Sequence, residues 1–195
     1  VNDANNNLNT RSAGTLKMES NEGPSATYTY DGSTLTPVGD ALNWKSLNTG
    51  SLHNFTLTYT SALAKPEPDV IVFNATGVSW GSRLNFTTSS RSNSKFILEL
   101  TAGTGYTQAE LNDAVISIKG FTTSEYTYNY SNADTSTNFV ILQPQMLTSG
   151  HTITVTINNS HSYSINLSNH FNGFEKGAAY KLKGTVNKSG LTEIN

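Results

Sequence analysis

The chain has 195 residues, enough for one large domain or two small domains that each bury a core. Charged residues make up only 13% and the formal net charge is −2, which excludes the basic surface typical of nucleic-acid-binding proteins. The chain has no cysteine, which excludes disulfides and thiolate chemistry. No apolar run approaches the roughly 18 residues of a membrane-spanning helix.

Small uncharged polar residues replace charged ones. Asn, Ser and Thr together account for 73 of the 195 residues. Thr favours strands, whereas Asn and Ser favour turns and caps, so we predict an all-β, extracellular type of fold. The Asn-rich start of the chain predicts a flexible tether, and we expect that an export segment preceded it and has been removed.

Segments in which apolar and polar residues alternate, together with short apolar runs, predict more than ten short strands. In chain order they are 26–30, 52–60, 69–73, 83–88, 95–101, 114–120, 125–130, 138–143, 151–157, 161–167 and 179–187. One short helix is predicted at 107–112, where Thr107 and Glu110 have the spacing of a capping box.

One hairpin can be predicted in register. If Ile157 pairs with His161 across a three-residue loop, the apolar residues of both strands fall on one face and the Thr and Ser residues on the other. Asn159 is the residue expected to adopt the left-handed conformation in this loop.

Two closely spaced prolines, Pro66 and Pro68, disfavour strand pairing and predict a linker. We therefore predict a small N-terminal β domain with its tether at 1–65 and a larger C-terminal β-sandwich at 66–195.

No pattern of residues points to catalysis. The four histidines, His53, His151, His161 and His170, have no metal-ligand spacing, and the acidic residues are scattered. Nucleophile-elbow and phosphate-binding motifs are absent. We predict a protein that is not an enzyme and holds no metal or cofactor.

Aromatic side chains suggest a binding role instead. Tyr126, Tyr128 and Tyr130 project from one face of one predicted strand, and an exposed row of this kind can stack on sugar rings. The alternative is that the row packs in the sandwich core or in a cross-strand ladder.

Arg11 lies in the polar segment before the first predicted strand, where a trypsin-like protease would reach it. It is either a processing site or a solvated arginine in a tether.

Four segments of the C-terminal part resemble the fimbrillin-like family of Bacteroidales, the subunits of protease-processed (type V) pili. They are the Asp-Val-Ile-Val-Phe strand at 69–73, the strand–turn–strand block at 82–100, the apolar run ending in Pro-Gln at 139–145, and Phe-x-x-Gly-x-x-Tyr at 174–180, which opens the last long strand.

The resemblance implies transthyretin-like β-sandwiches and an outer-membrane lipoprotein precursor. In that family a protease cuts after an arginine and removes an N-terminal strand. The groove that this strand leaves empty then accepts a strand from the next subunit, so Arg11 becomes the processing candidate. Little sequence follows the last long strand. We expect either a subunit that accepts a strand without donating one, as at a tip or accessory position, or a short member of the family, or a shortened form of a longer chain.

We therefore predict a cell-surface fimbrial subunit or adhesin, anchored in the outer membrane or placed in a fimbrium. Its expected partners are other pilus subunits, bound by donor-strand exchange, and a host protein or glycan ligand. Nucleic acid is not expected as a partner, and membrane contact is expected only through a removed N-terminal lipid anchor. The alternative prediction is a carbohydrate-binding surface lipoprotein.

Overall fold

The computed structural model describes residues 13–122, 124–131 and 138–194, which are mostly β-strand, and the predicted all-β class is confirmed. The strands are β1 (Gly14–Ser20), β2 (Ser25–Tyr30), β3 (Leu35–Val38), β4 (Leu52–Ala64), β5 (Pro68–Ser79), β6 (Thr88–Arg91), β7 (Ser94–Ala102), β8 (Val115–Lys119), β9 (Tyr126–Asn129), β10 (Phe139–Leu142), β11 (Gln145–Met146), β12 (Thr152–Ile157), β13 (His161–Asn166), β14 (Gly173–Phe174), β15 (Ala179–Asn187) and β16 (Gly190–Ile194). The described helices are α1 (Gln108–Asn112) and 3-10 turns at Trp44–Ser46 and Leu167–Asn169. None of them is long and apolar enough to cross a membrane.

The first compact unit comprises the described residues up to Ala64 together with Pro68–Ser92. It contains one six-stranded sheet in the order β3-β2-β1-β4-β5-β6, and all neighbouring strands are antiparallel. Leu16, Tyr59 and Ile71 stand side by side on adjacent strands and are at most 1% exposed. This apolar face forms the core of the unit, and alternation along the strands leaves the threonine-rich face to solvent.

The second unit comprises Lys65–Glu67 and the described part of Asn93–Asn195 and is a β-sandwich. Its sheets have the orders β10-β7-β15-β16 and β13-β12-β8-β9, and β7 pairs with β15 in parallel. Side chains from both sheets form one core, in which Leu98, Leu182 and Ile116 have no exposed surface. The predicted larger C-terminal sandwich is therefore present, and a two-residue pair of β11 with β14 lies beside it.

The boundary predicted after residue 65 differs from this division. Strand β5 begins at the second proline, Pro68, and returns to pair with β4, with Ala64 opposite Pro68. Lys65–Glu67 therefore connect two paired strands of the first unit, although they are grouped with the second unit, and the chain leaves the first unit for good between Ser92 and Asn93. The prolines mark the turn between β4 and β5, but long-range pairing decides which sheet the chain then joins.

The predicted hairpin is confirmed in its register, from Ile157 opposite His161 to Ile153 opposite Ile165. Hydroxyl groups of Thr and Ser pair across the polar face at 2.9 and 3.1 Å. Because the apolar residues of both strands share the other face, this face is buried in the sandwich core.

Two left-handed residues close this hairpin: Asn159 has a φ of 55°, as predicted, and Asn158 has a φ of 52°. We expect Asn159→Ala to lower the free energy of unfolding by about 1 kcal/mol in urea denaturation, because alanine lacks the short polar side chain that lets asparagine adopt the left-handed conformation. Asn159→Gly should be close to neutral, since glycine adopts positive φ freely. Equal losses in the two variants would contradict this account, and Asn129→Ala, at an exposed position of β9, is the control.

The predicted helix is confirmed together with its capping box. The Thr107 side chain accepts from the Glu110 backbone N–H, and a Glu110 carboxylate oxygen accepts from the Thr107 backbone N–H at 2.8 Å. The carboxylate at the helix start satisfies donors that have no partner within the helix.

Local patterns predicted some strands incorrectly. The strand expected at 83–88 is displaced, because β6 begins only at Thr88. Five strands were not predicted: β1, β3, β11, β14 and β16. In β1 the alternation of Leu16 and Met18 with Lys17 and Glu19 carries the period-two signal, but it follows a polar segment that indicated a tether.

Candidate functional site

An open groove in the second unit combines aromatic and polar side chains and is here called the aromatic groove. Its volume of 640 Å³ lies in the range usual for small-molecule sites. Strands β11 and β14 and the segments around them supply its lining. The lining residues are Pro144, Gln145, Met146, His170, Phe171, Asn172, Gly173, Phe174, Glu175 and Tyr180.

Backbone pairing fixes the shape of the aromatic groove. Gln145 pairs with Phe174, and Met146 pairs with Gly173. A Cβ atom at position 173 would lie 3.0 Å from the Gln145 carbonyl oxygen and 3.3 Å from Met146 Cα. Glycine therefore allows the two strands to approach closely at this point.

Aromatic rings form the floor of the groove. Phe174 is 3% exposed, and its ring stacks on Phe121 with centroids 5.6 Å apart. The ring of Tyr180 lies 4.6 Å from Phe174, and Phe171 meets Tyr180 at 5.5 Å with the planes 76° apart. The Tyr180 hydroxyl accepts a hydrogen bond from the Glu175 backbone N–H at 2.9 Å, which fixes the orientation of this half-buried ring.

Polar side chains surround these rings, namely Gln145, His170, Asn172 and Glu175. Met146 lies at the edge of the groove and is 73% exposed. None of the lining residues is Lys or Arg. The groove thus combines apolar ring faces with amide, imidazole and carboxylate groups, an arrangement suited to an uncharged ligand with hydrogen-bonding groups.

The predicted tyrosine row does share one face of β9 and its end, but this face turns toward the sandwich core. Tyr130 is 1% exposed, and the half-buried Tyr126 and Tyr128 pack against the core cluster. The Tyr130 hydroxyl accepts from the Leu100 N–H at 2.7 Å and donates to the Leu100 carbonyl oxygen at 3.1 Å. The core-packing alternative describes this placement, and Tyr130 is not accessible to a ligand.

The electrostatics of the row follow from burial, which raises the pKa of Tyr126, Tyr128 and Tyr130. Neighbouring tyrosines raise the pKa of Tyr128 further. A raised pKa in the folded state gives stability that is present below about pH 10 and lost as the pH rises above it. We expect the free energy of unfolding to fall above about pH 10, and less steeply in Tyr128→Phe. Urea denaturation at several pH values measures this dependence. If the free energy of unfolding falls equally steeply with pH in the unchanged chain and in Tyr128→Phe, the expectation is contradicted.

The Tyr130 hydroxyl is expected to contribute to stability. We expect Tyr130→Phe to lower the free energy of unfolding by about 1–3 kcal/mol at neutral pH, because the buried Leu100 N–H loses its partner. Tyr128→Phe, from the same row, is the matched control and should lose less. Urea denaturation measures both, and equal values would show that the Tyr130 hydrogen bonds contribute nothing specific.

Within the described residues, no three His, Asp or Glu side chains come together as candidate metal ligands. His151 and His161 lie at opposite ends of the hairpin, as predicted. His53 is fully buried in the first unit, with the Trp44 ring at 5.5 Å and Glu22 Oε1 3.4 Å from its Nδ1. The absence of an enzymatic role and of a cofactor stays a prediction.

Both tryptophans lie in one cluster of the first unit. Trp80 is 41% exposed, and its Nε1 donates to the Trp44 carbonyl oxygen at 2.8 Å. The cavity beside Trp44 has a volume of 130 Å³, below the range of typical ligand sites. Trp44 packs against the apolar core of this unit, whereas Trp80 leaves part of its ring in solvent.

Sequence reasoning did not find the aromatic groove, because its lining comes from the separate segments 144–146, 170–175 and 180. The close spacing of Phe171, Phe174 and Tyr180 was the available signal. Arg11, the predicted processing site, lies outside the described residues.

Comparison with solved structures finds this fold in proteins of Bacteroides. A "putative cell adhesion protein" of Bacteroides uniformis ATCC 8492 is 14% identical, with a TM-score of 0.69 over 97% of this chain and 92% of that chain. A second protein of the same description, from Bacteroides fragilis NCTC 9343, is also 14% identical, with a TM-score of 0.50 over 95% of this chain and 85% of that chain. At these identities the likeness establishes the fold.

No protein-family model and no curated protein matches the sequence. Membership of the fimbrillin-like family therefore stays a prediction. The described chain belongs to the class of all-β proteins with a β-sandwich, a fold that it shares with these Bacteroides proteins.

Proposed function

We propose that this chain is a cell-surface adhesin or fimbrial subunit that joins neighbouring subunits by strand addition. The fold likeness along 97% of the chain to a protein described as a candidate for cell adhesion carries the proposal. The four segments that resemble the fimbrillin-like family support the finer assignment to a pilus. In this proposal the chain acts by binding, without catalysis or a cofactor, and reaches the cell surface through an N-terminal lipid anchor that processing removes.

Strand addition needs an edge strand with free backbone groups. Among the described strands, the edges of the sandwich are β9, β10, β13 and β16. The edge of β10 is partly occupied, because the Ile141 N–H donates to the Lys65 carbonyl oxygen at 2.6 Å and the Glu67 N–H donates to the Ile141 carbonyl oxygen at 3.2 Å. On β9, Tyr126 and Tyr128 are only half-buried, so a strand added beside them would complete their burial. We therefore place the acceptor edge at β9.

Processing and assembly can be tested together. The folded chain is treated with an arginine-specific protease, and its intact mass is compared with size exclusion and unheated SDS gels. We expect a cut at Arg11 followed by a ladder of stable oligomers. Arg11→Ala should abolish both effects, whereas Arg83→Ala, which replaces an exposed arginine of the first unit, should retain them. A monomer that persists after complete cleavage at Arg11 would contradict assembly of this chain with itself, and would point instead to an acceptor-only tip subunit or a plain binding module.

The edge assignment has its own test. The Tyr130 N–H donates to the Ala114 carbonyl oxygen at 2.8 Å, toward β8. Backbone groups alternate in direction along a strand, so the N–H of Thr127 points to the free edge. Thr127→Pro should therefore block an added strand while sparing the β8–β9 pairing, and Thr127→Ala should still assemble. A folded, cleaved Thr127→Pro protein that assembles normally would exclude β9 as the acceptor edge.

A further inference from the structure

The rings of the aromatic groove are held in position by the protein itself. The Tyr180 hydroxyl is bonded to the Glu175 N–H, and the Glu175 carbonyl oxygen accepts from the Ser94 hydroxyl at 2.8 Å. Phe171 also packs edge-on against Phe96, with centroids 6.2 Å apart and planes at 85°. A ligand that binds here therefore loses little entropy in ordering these side chains.

Half-buried Phe171 and Tyr180 rings present negatively polarised faces, which attract the C–H groups of an apolar ring surface. Beside them, Gln145 and Asn172 each offer an amide donor and an acceptor, and the Glu175 carboxylate adds further acceptors. A sugar ring matches both features of the groove. One face of the sugar carries C–H groups that suit the aromatic faces, and its edge carries hydroxyl groups that can donate to and accept from the polar side chains.

The charge of the lining narrows the class of sugar. Phosphate, sulfate and carboxylate groups are recognised by Arg or Lys, and neither residue lines the aromatic groove. Glu175, which does line it, repels an anion. A neutral hexose or N-acetylhexosamine therefore fits this site better than an acidic sugar.

An extended peptide fits the aromatic groove less well. Peptides are usually bound along a row of free backbone groups at a strand edge. Strands β11 and β14 have only two residues each and pair with one another. The next backbone group is also used, because the Leu147 N–H donates to the Asn172 carbonyl oxygen at 3.0 Å.

We infer that the aromatic groove is a binding site for a neutral saccharide, with one ring stacked against Phe171 and Tyr180 and its hydroxyl groups bonded by Gln145 and Asn172. This inference deepens the proposed surface role and rests on it for its biological meaning. The binding itself requires neither processing nor assembly.

The test uses the uncut, monomeric chain with the methyl glycosides of glucose, galactose, mannose and N-acetylglucosamine, and with methyl glucuronide as the acidic counterpart. Saturation-transfer NMR and calorimetry report binding. At least one neutral glycoside should bind with a dissociation constant of about 1 mM or tighter, and the glucuronide at least about tenfold more weakly.

Two variants locate the site, and an exposed neighbour outside the groove provides the control. Asn172→Ala and Phe171→Leu should each weaken binding by about tenfold or more, the loss of one good contact. Asn169→Ala, at an exposed position beside the groove, should leave affinity unchanged. Thermal melting confirms that each variant is folded.

Three outcomes would overturn the inference. The first is that no neutral glycoside binds at about 20 mM, and the second is that both groove variants bind sugar as tightly as the unchanged chain. The third is that an extended peptide of alternating Val and Thr binds instead of a glycoside, and that Phe171→Leu abolishes this peptide binding. Assembly of Asn172→Ala after cleavage at Arg11 is read separately. A variant that assembles but does not bind sugar separates this site from strand addition, and sugar binding without assembly would contradict only the proposed assembly.

Discussion

Replacing Phe174 with alanine is expected to lower the free energy of unfolding by about 3–5 kcal/mol. The side chain is 3% exposed and has ring contacts with Phe96, Phe121, Phe171 and Tyr180 at 4.6 to 5.8 Å. Its removal loses the transfer free energy of a buried ring and leaves a cavity that neighbouring rings fill only in part. Urea denaturation followed by tyrosine fluorescence measures the change.

Phe139→Ala is the matched control for this prediction. Phe139 is half-buried on β10, with the ammonium groups of Lys65 and Lys95 at 4.5 and 4.4 Å from its ring centroid. Its loss should cost less, because less apolar surface is buried and cation–π contacts contribute about 0.5–1 kcal/mol each at exposed sites. Similar losses at both positions would show that the ring cluster below the groove is not a centre of stability.

Gly120→Ala is expected to destabilise the sandwich by about 2–5 kcal/mol, because two effects add. Gly120 has a φ of 92°, which strains any residue with a Cβ atom. A Cβ atom there would also lie 2.7 Å from the Gly150 carbonyl oxygen and 3.0 Å from the His151 ring. The backbone must therefore shift where Gly120, which follows β8, lies against Gly150 and His151, which precede β12. Thermal and urea denaturation report the loss.

Two other glycines separate these effects. Gly39 has a φ of 81°, and no atom lies within 4 Å of the place that a Cβ atom would take, so Gly39→Ala should show the backbone strain alone. At Gly50 the nearest atom would be Asn48 Oδ1 at 3.7 Å, and Gly50→Ala should be close to neutral. If Gly120→Ala lowers the free energy of unfolding no more than Gly39→Ala does, the close approach to Gly150 contributes nothing to the loss of stability.

Features that depend on neighbouring residues were predictable. The β12–β13 register follows from the alternation of apolar and Thr or Ser residues, since a shift by one residue would expose every apolar side chain. The helix cap follows from the spacing of Thr107 and Glu110. Both are confirmed at the level of individual pairs.

Features that depend on distant pairing were not predictable. Alternation placed Tyr126, Tyr128 and Tyr130 on one face of a strand, but it did not say whether that face meets the core or solvent. The pairing of β8 with β9 and the position of Leu100 across the sandwich turned this face inward. Pro66 and Pro68 similarly predicted a linker between domains, but the return of β5 to β4 kept the chain in the first sheet.

The sequence by itself determined an all-β chain with few charges, most of its longer strands, one hairpin register and one helix cap, because each depends on local conformational preference and alternation. Only the tertiary structure decided the division into units, the burial of Tyr130 and the aromatic groove. The β11–β14 pairing brings Gln145 and Met146 beside Phe174, and β15 adds Tyr180. Such a site arises when segments far apart in sequence are packed together, and no local pattern specifies that contact.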